Sequence, residues 1–375
     1  MANRFEQFAA PGVRRLAPYV PGKPPEQLER ELGITGSIKL ASNENPLGPG
    51  PHARAALAAA SASVGMYPDG SGHVLRARLA AKHKVAIGQV TLGNGSNDVL
   101  VLLAETFLTP EHEAVYSQYA FAVYPIAVQA SGAKAIIAVA NPPAHRMPLG
   151  HDPAAILAAI GPRTRIVFLA NPNNPTGTWL TGPELEGLVR GIPPEVIVVL
   201  DEAYHEYSAG MGVPDGTTLQ SQYPNLVVAR TFSKAYGLAG LRVGYTLSHP
   251  DIADLLNRVR QPFNVSVVGL AAAAAALDDR EHVEATLALN RQGLARLREG
   301  LAALGLAVLP SAANFLLCDL HRPAAPVSDS LLRRGVIVRP VASYGLPNHL
   351  RISTGTAEQN ERMLAAMAAA LTEGA

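Results

Sequence analysis

Three apolar runs, IVFLANP (166–172), VIVVLDEAY (196–204) and LVVARTFS (226–233), each end abruptly in polar residues. A continuous β-branched and aliphatic run is buried on both faces, as in a parallel sheet covered by helices. Between the runs lie helical patterns such as PELEGLVRGI, opened by Thr181 or Pro183. This repetition predicts βαβ units and an α/β fold with a mostly parallel, doubly wound sheet. Ligands of such sheets bind at the carboxyl ends of the strands, so the polar residues after these runs are the candidates for chemistry.

Past about Pro250 the texture changes. DIADLLNRVR and the alanine run GLAAAAAAL read as long helices, and AVLPS, NFLLCDL, VIVRPV and LRIST as short strands. AEQNERMLAAMAAALTEG reads as an amphipathic C-terminal helix. We expect a Pro-rich arm with a short helix over 1–35, a large domain over 36–255 and a smaller α+β domain over 256–375. A chain of 375 residues suits two domains, and 48 % apolar against 16 % charged residues supplies a large core. A net charge of +1 without a basic run predicts no nucleic-acid or anionic-membrane partner. No apolar run approaches the ~20 residues of a membrane span, and MANRFEQFAAPGVRRLAPYV has no signal-peptide core. The single cysteine, Cys318, permits no internal disulfide and fits a reducing, cytoplasmic setting, as a small buried hydrophobe. The eleven histidines form no ligand-spaced cluster, so no metal is expected.

TFSKAYGLAGLRVGY (231–245) carries one lysine and one arginine in a small, apolar, Gly-rich stretch. In a desolvated pocket near other cations the Lys234 amine becomes a nucleophile able to condense with an aldehyde. Arg242 supplies such a charge, or holds a phosphate beside the hydroxyls of Thr231 and Ser233. A lysine with this cradle is what pyridoxal phosphate requires. In LDEAY, Asp201 follows an apolar strand, where a carboxylate is costly without a partner; a pyridine nitrogen would be one. NPNNPTG (171–177) fixes a tight turn from which Asn174 would reach the cofactor's ring oxygen, shared with Tyr204. In LGNGSNDVL (92–100) a Gly-rich turn opens a helix, and Gly95, Ser96 and Asn97 are the natural phosphate contacts. It is not a dinucleotide fingerprint, because Asp98 stands where the third glycine would be.

Together these motifs give a resemblance. The chain resembles the fold-type I pyridoxal-phosphate aminotransferases, and within them the histidinol-phosphate aminotransferase family. SNENPLGP (42–49), YPDG (67–70), GNGSND, NPNNPTG, DEAY, TFSKAYGLAGLRVGY and LRISTGT (350–356) occur in that family's order. The resemblance implies that Lys234 carries the cofactor, Asp201 pairs with its ring nitrogen, and Asn174 and Tyr204 reach its ring hydroxyl. Ser96, Asn97, Thr231, Ser233 and Arg242 would hold the phosphate, with Phe121 stacked on the ring. Tyr67 would reach the neighbouring subunit's cofactor, which implies a homodimer. Two positions depart from the family pattern: Asn97 stands for an aspartate, and Tyr119 for a proline before the stacking ring.

The same resemblance places Arg351 as the arginine that grips the substrate's anionic end, a bidentate task. Arg339 would be a second anion site, or else pair with a surface acid, and Tyr19 would line the pocket from the arm. Two arginines and a tyrosine suit a phosphate ester. The reaction implied is transamination between L-histidinol phosphate, as amino donor, and a keto acid, 2-oxoglutarate, with Lys234 as general base and acid. Alternatives are an aromatic-amino-acid aminotransferase, a pyridoxal-phosphate-dependent phospho-amino-acid decarboxylase, and a non-catalytic cofactor sensor; the last needs a DNA-binding segment that 1–35 does not contain.

Overall fold

The computed structural model describes residues 4–373. Strands β1 (Ile38–Lys39), β2 (Val90–Gly93), β3 (Glu113–Ser117), β4 (Lys134–Ala138), β5 (Thr164–Ala170), β6 (Ile197–Asp201), β7 (Leu226–Thr231) and β8 (Gly244–Leu247) lie in its first two thirds. The remainder holds β9 (Ala307–Val308), β10 (Phe315–Asp319), β11 (Val336–Ile337), β12 (Arg339–Pro340) and β13 (His349–Ser353).

Side-chain alternation along the central strands sets the layers. Ile166, Phe168 and Ala170 of β5 join Tyr116, Val199 and Val227 in one core, beneath helices Ser96–Phe107, Val123–Ala130 and Pro250–Val259. Val167 and Leu169 point the other way and pack with Val115, Val198, Leu200 and Val228 against helices Pro153–Ala158 and Gly182–Gly191. Both faces are therefore buried, which is why these strands read as unbroken apolar runs. Thr181 opens the second of those helices through a capping box with Glu184.

The result is a seven-stranded sheet in the order β2-β8-β7-β6-β5-β3-β4. β8 alone runs antiparallel to its neighbours. Ala170 lies opposite Asp201, and Asp201 opposite Ala229, so β5, β6 and β7 end side by side. A second, four-stranded antiparallel sheet has the order β12-β13-β10-β9. Leu316, Cys318, Leu350 and Ile352 from it pack with Leu297 and Leu301 of helix Arg280–Ala303 and with Met363 and Met367 of helix Ala357–Thr372.

Three features differ from the sequence reading. Helix Arg280–Ala303, with 24 residues, is the longest element, while DIADLLNRVR and the alanine run give helices of only 10 residues each. The alanine helix Val267–Ala276, read as part of the C-terminal unit, packs on Leu75, Leu79, Leu92 and Tyr245 beside the large sheet. Its alanines let it lie close to helix Pro51–Ala60. In the other direction, β1 pairs with β11, and Leu40 joins the C-terminal core. The arm's expected short helix is Pro25–Leu32. Among the described residues, no helix is long and apolar enough to cross a membrane.

Candidate active site

Asp201 is the last residue of β6 and is buried. Its Oδ2 accepts a hydrogen bond from the Tyr124 hydroxyl at 2.8 Å, and its Oδ1 one from the Ala203 N–H at 3.2 Å. Burial pushes the carboxyl up to about 6, against those two bonds and the nearby Lys234. Tyr124 is locked by stacking on Phe168, with ring centroids 4.8 Å apart.

β7 ends at Thr231, and the turn that follows carries Lys234 into the same space. Its Nζ donates to the Ser42 carbonyl at 2.9 Å and stands 5.8 Å from the centre of the Tyr204 ring. Burial, then the positive charge of Arg351, lowers the amine to about 7; Glu44 opposes and Arg242 adds to the effect. An amine in that range has a far larger unprotonated fraction at neutral pH than a free lysine, as a nucleophile or base requires. Lys234 and Arg242 do not share a helix: the chain makes only a 3₁₀ turn, Ala239–Leu241, and Arg242 takes a left-handed conformation (φ +55°).

That conformation turns the Arg242 guanidinium toward the start of helix Ser96–Phe107. Its Nη1 donates to Ser233 Oγ at 3.4 Å and to the Ala239 carbonyl at 3.1 Å. Gly95 precedes the helix at φ +83°, and a Cβ there would lie 2.3 Å from Arg242 Nη2. Only glycine lets the guanidinium and the free N–H groups of this 12-residue helix share one spot, an anion cradle by geometry and dipole. Thr231 Oγ1 accepts the Ser233 N–H at 3.1 Å beside it. Asp98, the residue that breaks the dinucleotide pattern, accepts from Asn94 N–H at 2.7 Å and Asn264 Nδ2 at 2.9 Å, bracing the turn.

The opposite wall comes from the C-terminal sheet and the arm. Arg351 on β13 donates from Nη1 to Asn174 Oδ1 at 2.6 Å and from Nη2 to the Ala41 carbonyl at 2.7 Å, leaving its buried Nε without a partner among the described residues. Asn174 Nδ2 in turn donates to the Tyr204 hydroxyl at 3.2 Å. Arg339 is buried, donates to the Val20 carbonyl at 2.7 Å and lies 5.4 Å from the centre of the Tyr19 ring. Among the described residues it makes no ion pair, so the surface-acid alternative does not hold. Tyr119 is tied to the neighbouring turn, its carbonyl accepting from Asn173 Nδ2 at 2.8 Å.

One cavity of about 300 Å³ is lined by Lys234, Asp201, Tyr204, Asn174, Thr231, Ser233 and Arg242, and also by Ser96, Asn97, Phe121, Tyr19, Arg339 and Arg351. Gly95 stands behind the Arg242 guanidinium rather than on the cavity surface. Tyr67 lies outside: it is 82 % exposed and stacks on Phe263, ring centroids 4.7 Å apart. The sequence reading missed Tyr124, Ser42, Asn43 and Glu44. SNENPLGP marked the last three without giving them a task; nothing local distinguishes Tyr124.

A cradle of one arginine, hydroxyls and a helix start lies at one end of this cavity, a buried carboxylate stands on its wall, and a lysine whose amine is lowered to about 7 lines the same space. This set fits pyridoxal phosphate: the Arg242 guanidinium, which Gly95 lets lie against the helix start, suits an anion, and Asp201 suits a protonated ring nitrogen.

Comparison with known proteins agrees. The family model described as aminotransferase class I and II matches residues 35–367. The chain is 53 % identical to histidinol-phosphate aminotransferase 2 of Pseudomonas fluorescens (strain Pf0-1), over 100 % of both chains. It is 54 % identical to histidinol-phosphate aminotransferase 2 of Pseudomonas aeruginosa, over 97 % of each. Among solved structures, histidinol-phosphate aminotransferase from Sinorhizobium meliloti, crystallised with pyridoxal-5'-phosphate, superposes with a TM-score of 0.88 at 30 % identity, covering 97 % of this chain and 98 % of that one.

Proposed function

The chain belongs to the aminotransferase class I and II family, and on that premise we propose that its substrate pair is L-histidinol phosphate and 2-oxoglutarate, converted to imidazole-acetol phosphate and L-glutamate in histidine biosynthesis. It is a pyridoxal-phosphate-dependent aminotransferase. The observation that carries the substrate reading is the cavity wall opposite the cofactor cradle. Arg351 and Arg339 both reach it, and the buried Arg351 Nε has no partner among the described residues. Two guanidinium groups suit a doubly charged phosphate ester better than a single carboxylate or an apolar ring.

Bound pyridoxal phosphate supplies an aldehyde carbon that takes up and returns an amino group, and a protonated ring that draws electron density from the substrate Cα. In this reading Lys234 would hold the cofactor, and its amine would move the proton lost from the substrate Cα. Asp201 keeps the ring nitrogen protonated. Tyr204 and Asn174 hold the ring oxygen, Phe121 covers the ring, and Ser96, Asn97, Thr231, Ser233 and Arg242, with Gly95 behind, hold the phosphate. Arg351, Arg339, Asn174 and Tyr19 hold the substrate. The reading keeps an arm, a large cofactor-binding unit and a smaller unit that brings Arg339 and Arg351. It also includes a homodimer in which the exposed Tyr67 reaches the neighbouring subunit's cofactor, and a cytoplasmic location, which a single buried cysteine fits.

The test is a comparison of kcat/KM for L-histidinol phosphate and L-phenylalanine with 2-oxoglutarate as acceptor. The proposal expects histidinol phosphate to be preferred more than tenfold. Equal or better use of phenylalanine would make this an aromatic aminotransferase.

A further inference from the structure

The hydrogen bonds around Tyr204 are restrictive. Its phenol oxygen accepts two N–H donors, Asn43 Nδ2 at 2.8 Å and Asn174 Nδ2 at 3.2 Å. Neither amide can be reversed without loss. Asn174 Oδ1 faces Arg351 Nη1, and arginine has no acceptor, so Nδ2 must face Tyr204. Asn43 Oδ1 accepts from Ser353 Oγ at 2.8 Å, while that same Oγ accepts the Asn43 backbone N–H at 3.0 Å. As the structure has it, the Ser353 hydroxyl donates to Oδ1 and Nδ2 is left for Tyr204; reversing the amide would leave the Ser353 proton without an acceptor among the described residues.

With both lone pairs occupied, the Tyr204 oxygen accepts nothing more. Its own proton must go elsewhere, and among the described residues it donates to none. The ring lines the cavity. We propose that Asn43 is a positioning residue that makes Tyr204 an obligate hydrogen-bond donor into the cavity, toward the cofactor's ring oxygen. The proposal rests on the cofactor reading above.

Asn43 is well placed for this. It is buried, at φ +56°, a left-handed conformation that asparagine tolerates better than most residues. Its carbonyl accepts from Asn314 Nδ2 at 3.0 Å, so backbone and side chain are both held. The two residues before it present their carbonyls to Arg351 and Lys234. The charged and titratable groups around Tyr204 are Arg351, Asp201, Tyr344 and Lys234. None of these is altered by a change at Asn43.

Asparagine and aspartate are isosteric, but a carboxylate only accepts. Asn43→Asp would invite the Tyr204 proton and turn it away from the cavity. Asn43→Gly deletes the side chain without backbone strain. Each variant is made alone and in a Tyr204→Phe background and loaded with pyridoxal phosphate. The readouts are the pH midpoint of the holoenzyme's visible absorbance band and the cofactor's dissociation constant from the cofactor-free protein. A hydrogen bond donated to the ring oxygen holds the midpoint down, so losing it raises the midpoint. Asn43→Asp and Tyr204→Phe should each raise it by about one pH unit, one ordinary hydrogen bond's worth. Asn43→Gly should raise it less and should not shift it further in the Tyr204→Phe background, whereas any shift that Asn43→Asp keeps there is the direct effect of its added charge. Equal shifts with and without the Tyr204 hydroxyl would overturn the proposal, because Asn43 would then act only as a brace. A wild-type protein with no visible band on loading would overturn the cofactor reading, and the proposal with it. A normal band indifferent to Tyr204→Phe would overturn the proposal alone.

Discussion

At the scale of single residues, Lys234 and Asp201 trade stability for chemistry. The Lys234 amine ordinarily titrates at 10.5 and is held at about 7 in the fold, so the folded state carries a buried ammonium at a cost below pH 7. That cost is complete below 7 and is relieved as pH rises toward 10.5. Asp201 is the opposite case: raised from 3.8 to about 6, it costs nothing below 3.8 and its full penalty above 6. Lys234→Ala should therefore raise the melting temperature of the cofactor-free protein, by more at pH 6 than at pH 10. The same variant should lose turnover by at least the roughly 10²–10⁴-fold supplied by a positioned base. A stability gain that grows with pH, or near wild-type turnover, would contradict the account. These two residues were legible in the sequence because a charge at the end of an apolar strand is costly and so conspicuous. Asn43 and Tyr124 were not. Each matters through a partner far along the chain, 161 residues away for Asn43 and 77 for Tyr124, and no local pattern encodes that pairing.

At the scale of elements, the site is an arrangement of ends. Strands β5, β6 and β7 finish together, and helix Ser96–Phe107 begins beside them. Gly95 is the joint at which Arg242 meets that helix. Gly95→Ala places a methyl group on the guanidinium and strains a backbone conformation (φ +83°, ψ 166°) that is essentially confined to glycine, at about 1–3 kcal/mol for the backbone alone. We expect cofactor affinity to fall at least tenfold with only a modest loss of melting temperature, read by titrating cofactor-free protein with pyridoxal phosphate. Unchanged affinity would remove the helix start from the cradle. The runs IVFLANP, VIVVLDEAY and LVVARTFS were readable as strands because burial on both faces removes polar alternation. Helix Arg280–Ala303 was legible in principle, since Leu294, Leu297 and Leu301 recur at helical spacing with charged residues between them, but it went unread. The alanine helix was assigned to the wrong neighbour because an all-small face records no partner.

At the scale of the molecule, Arg339 and Arg351, proposed to grip substrate, and the residues of the proposed cofactor cradle come from different sheets that line one cavity. The two contributions should separate. Arg351→Ala should raise KM for the phosphate ester more than tenfold and leave the cofactor's dissociation constant nearly unchanged; parallel loss of both would mean that Arg351 serves the cofactor. If Tyr67 completes a neighbouring site, sedimentation should give twice the 39.3 kDa chain mass, and Tyr67→Ala should weaken cofactor retention. A monomeric active enzyme would exclude that role. The most direct measurement of the central claim is the half-reaction. Purified holoenzyme is mixed with L-histidinol phosphate, without keto acid, and the visible band is followed against a parallel sample with phenylalanine. The account predicts rapid bleaching by histidinol phosphate and slow bleaching by phenylalanine. Equal bleaching would contradict the substrate assignment, and no bleaching by either would contradict transamination and favour decarboxylation of a phospho-amino acid.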